Sequence, residues 1–561
     1  MKEEDLIKEA RKRFKTLYDA DYHLRGTFRR NMQFSFNIGE GHWDPTDKQA
    51  RQGDDSKPPR PYLTANKFSK FVARVVNMER GIPDRDLVIP VDSKADPNTA
   101  GIYNQLIEDI EYHSDYDQVI STEGEYAVGG GYGYWRIASE WVSSRLEQVL
   151  RIKACLNPLM VNVERNKRYA FIREALSVDE YEEKYGEWDK PSSFESGDDD
   201  ELWYEDEKIY IAEYFKRVPY KKTIAQTDTG ETIEIDEKDV KKYKKTRTHN
   251  DHKVEWFKLC GHKVLEKGEW AGDEIPIIEV CGHKLWFEGK LYKKSLIDDA
   301  IDMMKAYNYW ITSLTEKVAL SPKAPFVLTE GQIRGHEKDW KRANIDPLPY
   351  LLVAQNPLGN KVERALSPEV GQGELLMLNI TDNNIRDILG QFEASIGQTS
   401  NERSGKAIQA RAAASDSVVY HFPDNLARAK RETKKMLIKL IPKYYDTERV
   451  IRLLGTDQTV MINQMTKGQA GEPVIKNDLS VGEYDIRANN PANPSLRQQT
   501  TDALREAMQY AGEGYAGIIL PEFFKNLDLP GMQELSMKIE AQTAKLEQMK
   551  AMEANGGLPL M

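Results

Sequence analysis

Apolar residues recur every three or four positions at the start of the chain. Leu6, Ala10, Phe14 and Leu17 fall on one helical face, and residues 1–40 read as helical. Residues 41–61 break the pattern with Gly41, Pro45, Gly53, Pro58, Pro59 and Pro61, and read as loop. Helices are predicted over Leu63–Glu79 and Asn98–Ala127. β-rich composition then takes over, with strands expected at Tyr132–Ile137, Gln148–Cys155 and Ile209–Val218, and short strands with Gly turns over 252–290. The acidic stretch 187–207 and the Lys-rich run Lys241–Lys245 read as surface segments, the second as a solvated hairpin edge.

From Lys294 to Leu320 neither Pro nor Gly occurs. Ile297, Met304, Ile311 and Val318 fall seven apart, and Ala300, Tyr307 and Leu314 each follow by three. That stripe of heptad type fits an ordinary buried helix and equally a rod that packs against another helix. A partner helix is predicted from Pro368 to Phe392, with Leu378, Ile385 and Phe392 again seven apart. Residues 321–366 between them are rich in Pro and Asn, with strand-like pieces at Pro325–Leu328 and Tyr350–Val353. Arg334, Lys338, Lys341 and Arg342 lie here, spaced so that several share a helix face. A polar loop, Ser395–Gly405, then leads into a helical pattern reaching about Tyr445. Thr399–Glu402 can cap that helix, and Pro423 is expected to kink it near His421. Gly471–Met561 holds a strand and two or three helices, with Pro494 at an early helical position and a frayed tail from Glu553. The fold class is therefore α+β, mixed and helix-rich, with at least two substructures because a chain of 561 residues is too long for one core.

Composition narrows the classes. Charged residues make up 30% and hydrophobic ones 40%, an ordinary soluble balance. No run of 18 apolar residues occurs, so no transmembrane helix is predicted, and the acidic Met1–Asp5 start is no secretory signal. Three cysteines argue for a reducing compartment without a disulfide framework. The net charge of −11 speaks against a protein whose main business is neutralising phosphates. It is compatible with a wall past which DNA slides, where acidic surface repels phosphate and a few basic rings touch it, and equally with acidic charge serving solubility alone.

Candidate chemistry is thin. Cys260-Gly-His262 and Cys281-Gly-His283 form a near-repeat; on strands each pair points to one face, which leaves a Cys₂His₂ zinc site open beside the simpler reading of paired turns. Gly129-Gly130-Gly131-Tyr132-Gly133 follows a helix and precedes a strand, the reverse of a phosphate loop, and Ser404-Gly405-Lys406-Ala407 lacks the upstream Gly and the Ser/Thr after Lys. Asp198-Asp199-Asp200-Glu201 reads as solvated acidic surface. No hydrolase motif is recognisable, so no enzyme activity and no cofactor are expected.

Four motifs resemble, in order, the portal proteins of tailed bacteriophages, specifically the P22-like family. They are Trp43, Arg60-Pro61, Asn66, Arg80-Gly81 and Pro90; Ala306-Tyr307-Asn308, Glu316 and Ser321-Pro322-Lys323-Ala324-Pro325; Asn401–Arg411 with His421–Leu426; and Gly482-Glu483-Tyr484-Asp485-Ile486, Asn489-Asn490-Pro491 and Leu496–Thr501. The resemblance implies a wing at 1–290, a first stem helix at 291–320, a clip at 321–366, a second stem helix at 367–393, a channel loop at 394–404, a kinked long helix with wing strands at 405–495, and a short helical crown with tail at 496–561. It further implies a homo-oligomeric ring, a dodecamer, at one capsid vertex of the virion, assembled in the host cytoplasm. Double-stranded DNA would pass through it, and the large terminase, head–tail adaptor and major capsid protein would be its partners, with no membrane. On the same grounds Asn401, Arg403 and Lys406 would face the channel. The cations Arg334, Lys338, Lys341 and Arg342 would meet partners or DNA in the clip. The stem stripes, Ile297, Met304, Ile311, Val318, Leu378, Ile385 and Phe392, would pack between subunits. The long C-terminal helical barrel of larger members is not expected in this chain. The alternatives are a ring-forming nucleic-acid translocase and a zinc-dependent module built on Cys260, His262, Cys281 and His283.

Overall fold

The computed structural model describes residues 3–39, 41–53, 59–80, 86–143, 147–188, 202–205, 207–226, 232–235, 242–243, 245–320, 326–343, 346, 349–354, 362–364, 371–390, 418–452, 459–467, 473–487, 494–510 and 513–527, with short pieces between 535 and 543. The chain forms two compact units: residues 1–29, 73–295 and 416–561 in the first, and 30–72 and 296–415 in the second.

In the first unit the N-terminal helix Glu3–Ala20 buries Leu6, Ala10, Phe14 and Leu17. They meet Phe171, Tyr214 and Leu259 on a seven-stranded antiparallel sheet, and Trp203 in the turn before its strand 204–205. Its strands run in the order 264–270, 245–259, 208–226, 169–177 and 161–163, and 204–205 and 232–235 also pair with 208–226. A smaller antiparallel sheet orders strands 277–281, 132–142 and 147–154. Helices Pro97–His113, Tyr116–Glu125 and His421–Tyr444 bury their apolar faces with it, and Ile110, Trp135, Ile137, Leu150, Leu437, Leu440 and Ile441 fill the resulting core. Trp135 is fully buried, and its Nε1–H donates to Thr433 Oγ1 at 2.8 Å, so the one polar atom of the ring is satisfied. The strand Tyr484–Arg487 returns to pair antiparallel with Leu87–Pro90.

Several sequence expectations shift. The Pro-rich span 41–61 contains a helix, Pro45–Gln52, because Pro45 sits in its first turn, where a missing N–H costs nothing. The helix predicted from Leu63 begins at Phe68, and the residues before it run extended. The predicted Asn98–Ala127 helix is two helices, broken where Asp115 adopts a φ of 48°. The strand expected at Ile209–Val218 extends over Lys208–Gln226, and Lys245 opens a 15-residue strand. A short helix, Val178–Tyr185, has a Ser177–Glu180 capping box that sequence reading passed over. The helical trace breaks at Tyr420 and resumes at His421, with Pro423 in the first turn of the new helix and Pro442 near its end.

The glycine run 129–133 is a packing device. The chain makes a π-helical turn at Tyr126–Gly130, and Gly131 takes a φ of 113° where a Cβ would lie 2.5 Å from the Lys293 carbonyl. Only glycine suits both the backbone angle and the close approach.

The second unit is built on two rods. After the 3₁₀ turn Asp298–Ala300, helix Ile301–Leu320 runs unbroken; the predicted span from Lys294 is shortened because strand Lys290–Lys294 precedes it. The second rod is Gln372–Ile388, inside the predicted Pro368–Phe392. Between them lie the strand pair Phe326–Val327 with Glu363–Arg364 and the short helices Glu330–Ile333 and Glu337–Arg342. Tyr350–Val353, expected as strand-like, carries no strand.

Candidate functional site

The rod unit joins residues that are far apart in sequence. Residues 61–66 lie extended along the first rod, so their amides have no helical partners. Leu63 N–H donates to Thr312 Oγ1 and Ala65 N–H to Asn308 Oδ1, both at 2.9 Å, and Asn308 and Thr312 are fully buried. Asn308 and Thr312 are four apart on one helix face, which sets two acceptors along the strap. Trp43 Nε1–H donates to Thr64 Oγ1 at 3.2 Å, and Asn66 Nδ2–H to Ser35 O at 2.9 Å. Arg51 and Arg60 converge on Glu316, at 3.1 and 3.6 Å. Trp43, Arg60-Pro61, Asn66, Asn308 and Glu316, read in sequence as two separate motifs, thus form one site.

The rods are tied to each other by charge. Lys317 pairs with Glu374, and Lys67 pairs with Asp382, which also receives Arg386 at 3.0 Å. Lys67 Nζ stands 3.8 Å over the Tyr307 ring. Ile297, Ala300 and Met304 are fully buried within the chain, as is Ile385 of the second rod. Ile297, Met304 and Ile385, placed by sequence at a subunit interface, are therefore spent inside one chain. Ile311 and Leu378 are half-buried, Val318 is exposed, and Phe392 lies outside the described residues.

The second rod instead turns Leu375, Leu376, Met377, Ile380 and Ile388 outward, each at least 40% exposed. The heptad count through Leu378 and Ile385 missed this face. The Leu375-Leu376-Met377 run was its signal, since three consecutive apolar residues cannot all face one partner.

In the clip region the Trp340 ring meets Phe326 edge-on at 5.3 Å, and its Nε1–H donates to Leu352 O at 2.9 Å. Arg334, Lys338, Lys341 and Arg342 are all exposed. Lys338, Lys341 and Arg342 share the helix Glu337–Arg342, whereas Arg334 caps the preceding one; Arg342 pairs with Asp346 at 2.5 Å. Asn401, Arg403 and Lys406 lie outside the described residues, as does the Thr399–Glu402 cap.

The two Cys-Gly-His pairs do not meet. Cys260 packs under Tyr181, 3.8 Å from its hydroxyl, with His262 Nδ1 at 3.7 Å. Cys281 sits among Val75, Val280 and Phe422, and His283 stands against the His421 ring at 4.9 Å. Gly282 is needed where a Cβ would lie 2.3 Å from the Lys294 carbonyl, so this pair marks a crossing of chains. Among the described residues no group of three His, Cys, Asp or Glu side chains is arranged to hold a metal, and no helix is long and apolar enough to cross a membrane.

The first unit holds buried charge of a structural kind. Glu279 binds Lys293 and, at 2.9 Å, Lys284, and accepts the Tyr134 hydroxyl at 2.9 Å. Burial raises the Glu279 carboxyl, but Lys293 and Lys284 outweigh it and hold the group far below the carboxylate range. Glu123 has no such cation. Burial pushes its carboxyl up to about 8, against the amide N–H groups of Tyr134 and Cys155. A cleft of about 400 Å³ beside the long helix carries Lys435 and Lys439, but these already pair with Asp485 at 3.1 Å and Glu274 at 2.7 Å.

Among the described residues, two rods flank a short insertion in the second unit, and no group of side chains forms a recognisable catalytic constellation. The phage P22-like portal protein family model matches residues 11–556, and the chain belongs to that family. It is similar to a portal protein of Acyrthosiphon pisum secondary endosymbiont phage 1, 22% identical over 493 residues, 79% of this chain and 67% of the relative. The chain thus has the function of a phage portal protein, a component of the virion capsid that works as an oligomeric ring.

Proposed function

We propose that copies of this chain, twelve by family resemblance, close a ring at one capsid vertex, with the rods as the wall of a DNA channel. The observation that carries this reading is the outward apolar face Leu375, Leu376, Met377, Ile380 and Ile388 on the second rod, with Val318 exposed on the first. Burying such a face against a neighbour is favourable at roughly 25 cal/mol per Å² of apolar surface. A repeated head-to-tail contact of this kind closes into a ring when its rotation divides a full turn. DNA would be driven in by a separate terminase ATPase, and the chain's own work is mechanical and electrostatic. Asn401, Arg403 and Lys406 face the bore, where one or two cations per subunit make a charged ring without making the chain basic. Arg334, Lys338, Lys341 and Arg342 present the clip to the terminase and then to the tail adaptor. The body meets the major capsid protein. The ring assembles in the host cytoplasm.

Negative-stain imaging of the purified chain tests the reading. Closed rings with a central hole are expected, and a monodisperse monomer at every concentration would overturn it. Loss of ATP hydrolysis as an intrinsic property is tested in the same preparation: turnover by the chain alone would favour a translocase instead.

A further inference from the structure

The strand Lys245–Leu259 opens with Lys245-Thr246-Arg247-Thr248-His249-Asn250, basic and small polar residues in strict alternation. Successive side chains of a strand point to opposite faces. Lys245, Arg247 and His249 therefore share one face, and Thr246, Thr248 and Asn250 the other. The antiparallel neighbour, Lys208–Gln226, sets Lys222 beside His249, Ile224 beside Arg247 and Gln226 beside Lys245. On the opposite face of that neighbour, Thr223 and Ala225 are buried, at 4% and 1% exposure. Lys245, Arg247 and His249 are exposed. The ion pairs of this sheet, Lys216–Glu9, Lys253–Glu269 and Lys258–Glu266, lie further along the strands. Among the described residues none engages Lys245 or Arg247. Asp251 closes the basic row beside Tyr220, whose hydroxyl it accepts at 3.3 Å, and Glu234 stands in register with Ile224 on the third strand.

We propose that this face, Lys245, Arg247 and His249 with Lys222, binds the phosphate backbone of double-stranded DNA. On the paired segments 221–226 and 245–250, Lys222, Lys245, Arg247 and His249 share this face, while Lys221, in register with Asn250, stands on the other. Alternate residues on an antiparallel strand stand about 6.8 Å apart, which presents N–H donors as a row that can follow a charged backbone. In a chain of net charge −11, such a row is a local reversal of sign. Phosphate contacts of this type position a duplex without reading its sequence. The surface belongs to the first unit and does not depend on Arg403 or Lys406, so it goes beyond the channel reading.

The test uses the full chain and a labelled random-sequence duplex, with affinity measured across a potassium chloride series. A Lys245→Glu/Arg247→Glu variant is expected to bind about tenfold or more weakly at low salt. Its log affinity should fall less steeply with log salt, by roughly two, because each phosphate contact contributes about 0.9 to that slope. A Thr246→Glu/Thr248→Glu variant carries new charge on the opposite face and should lose much less. An Arg403→Glu/Lys406→Glu background should leave the effect of the arm substitutions in place. Unchanged affinity and slope in the arm variant would overturn the proposal, as would equal losses from both faces. If the arm variant kept duplex binding and lost only binding to polyglutamate, the face would belong to an acidic protein partner and the DNA assignment would be wrong. Ring formation, followed by imaging, should be intact in the arm variant, so failure here is separable from failure of the ring.

Discussion

The two units stabilise themselves in opposite ways. The first buries its large side chains: Trp135, Tyr103, Tyr214 and Phe171 are all nearly inaccessible, and its core joins two sheets to several helices. The second holds its rods with Asn308, Thr312 and the Lys67–Asp382–Arg386 network, and leaves apolar side chains outside. Five apolar side chains at least 40% exposed on one 17-residue helix are the signal of a surface that takes a partner. On the proposed reading, neighbouring copies cover the apolar side chains that the second rod leaves exposed.

Substitutions can sharpen or break that contrast. The largest loss is expected from a Lys284→Met/Lys293→Met double variant, which leaves Glu279 without either of its cations. About 3–5 kcal/mol should disappear in urea unfolding of the first unit, and a loss under 1 kcal/mol would show that the network is superficial. Next comes pH. The folded carboxyl of Glu123 titrates near 8, above its ordinary 4.5, so the native state keeps a proton that the unfolded chain has released. Its contribution is full below 4.5, declines through the interval, and is gone above 8. Glu123→Gln should flatten this decline and gain up to roughly 4 kcal/mol at pH 9, read by thermal melts at both pH values. Within the rod unit, Asn308→Ala leaves the Ala65 amide unpaired and should cost about 1–3 kcal/mol, with hydrogen exchange rising at residues 61–66. The smallest effect is Lys317→Ala. This partly exposed pair should contribute about 0–1 kcal/mol, and a larger loss would mean that Lys317–Glu374, more than Lys67–Asp382, ties the rods together.

The first helix was legible because Leu6, Ala10, Phe14 and Leu17 bury along one local face. Both rods were legible in extent for the same reason. The strap at 61–66 was not, because its hydrogen-bond partners, Asn308 and Thr312, lie in another part of the sequence and no local pattern encodes them. The strand from Lys245 was hidden because its alternation is basic against neutral, with little hydrophobic contrast. The resemblance implied a subunit seam at Ile297 and Met304, but both are buried within the chain; periodicity reports that a face is buried, not by what. The four resemblance motifs placed the family correctly while leaving open which residues touch, and Trp43, Asn66, Asn308 and Glu316 prove to share one site.

The most direct test is the mass of the assembled particle. Sedimentation equilibrium of the wild-type chain should give a closed oligomer of fixed size. A Leu376→Glu/Ile380→Glu variant should sediment as a monomer while its first unit melts at the wild-type temperature. A variant that still formed the full oligomer would contradict the claim that this apolar rod face joins the subunits.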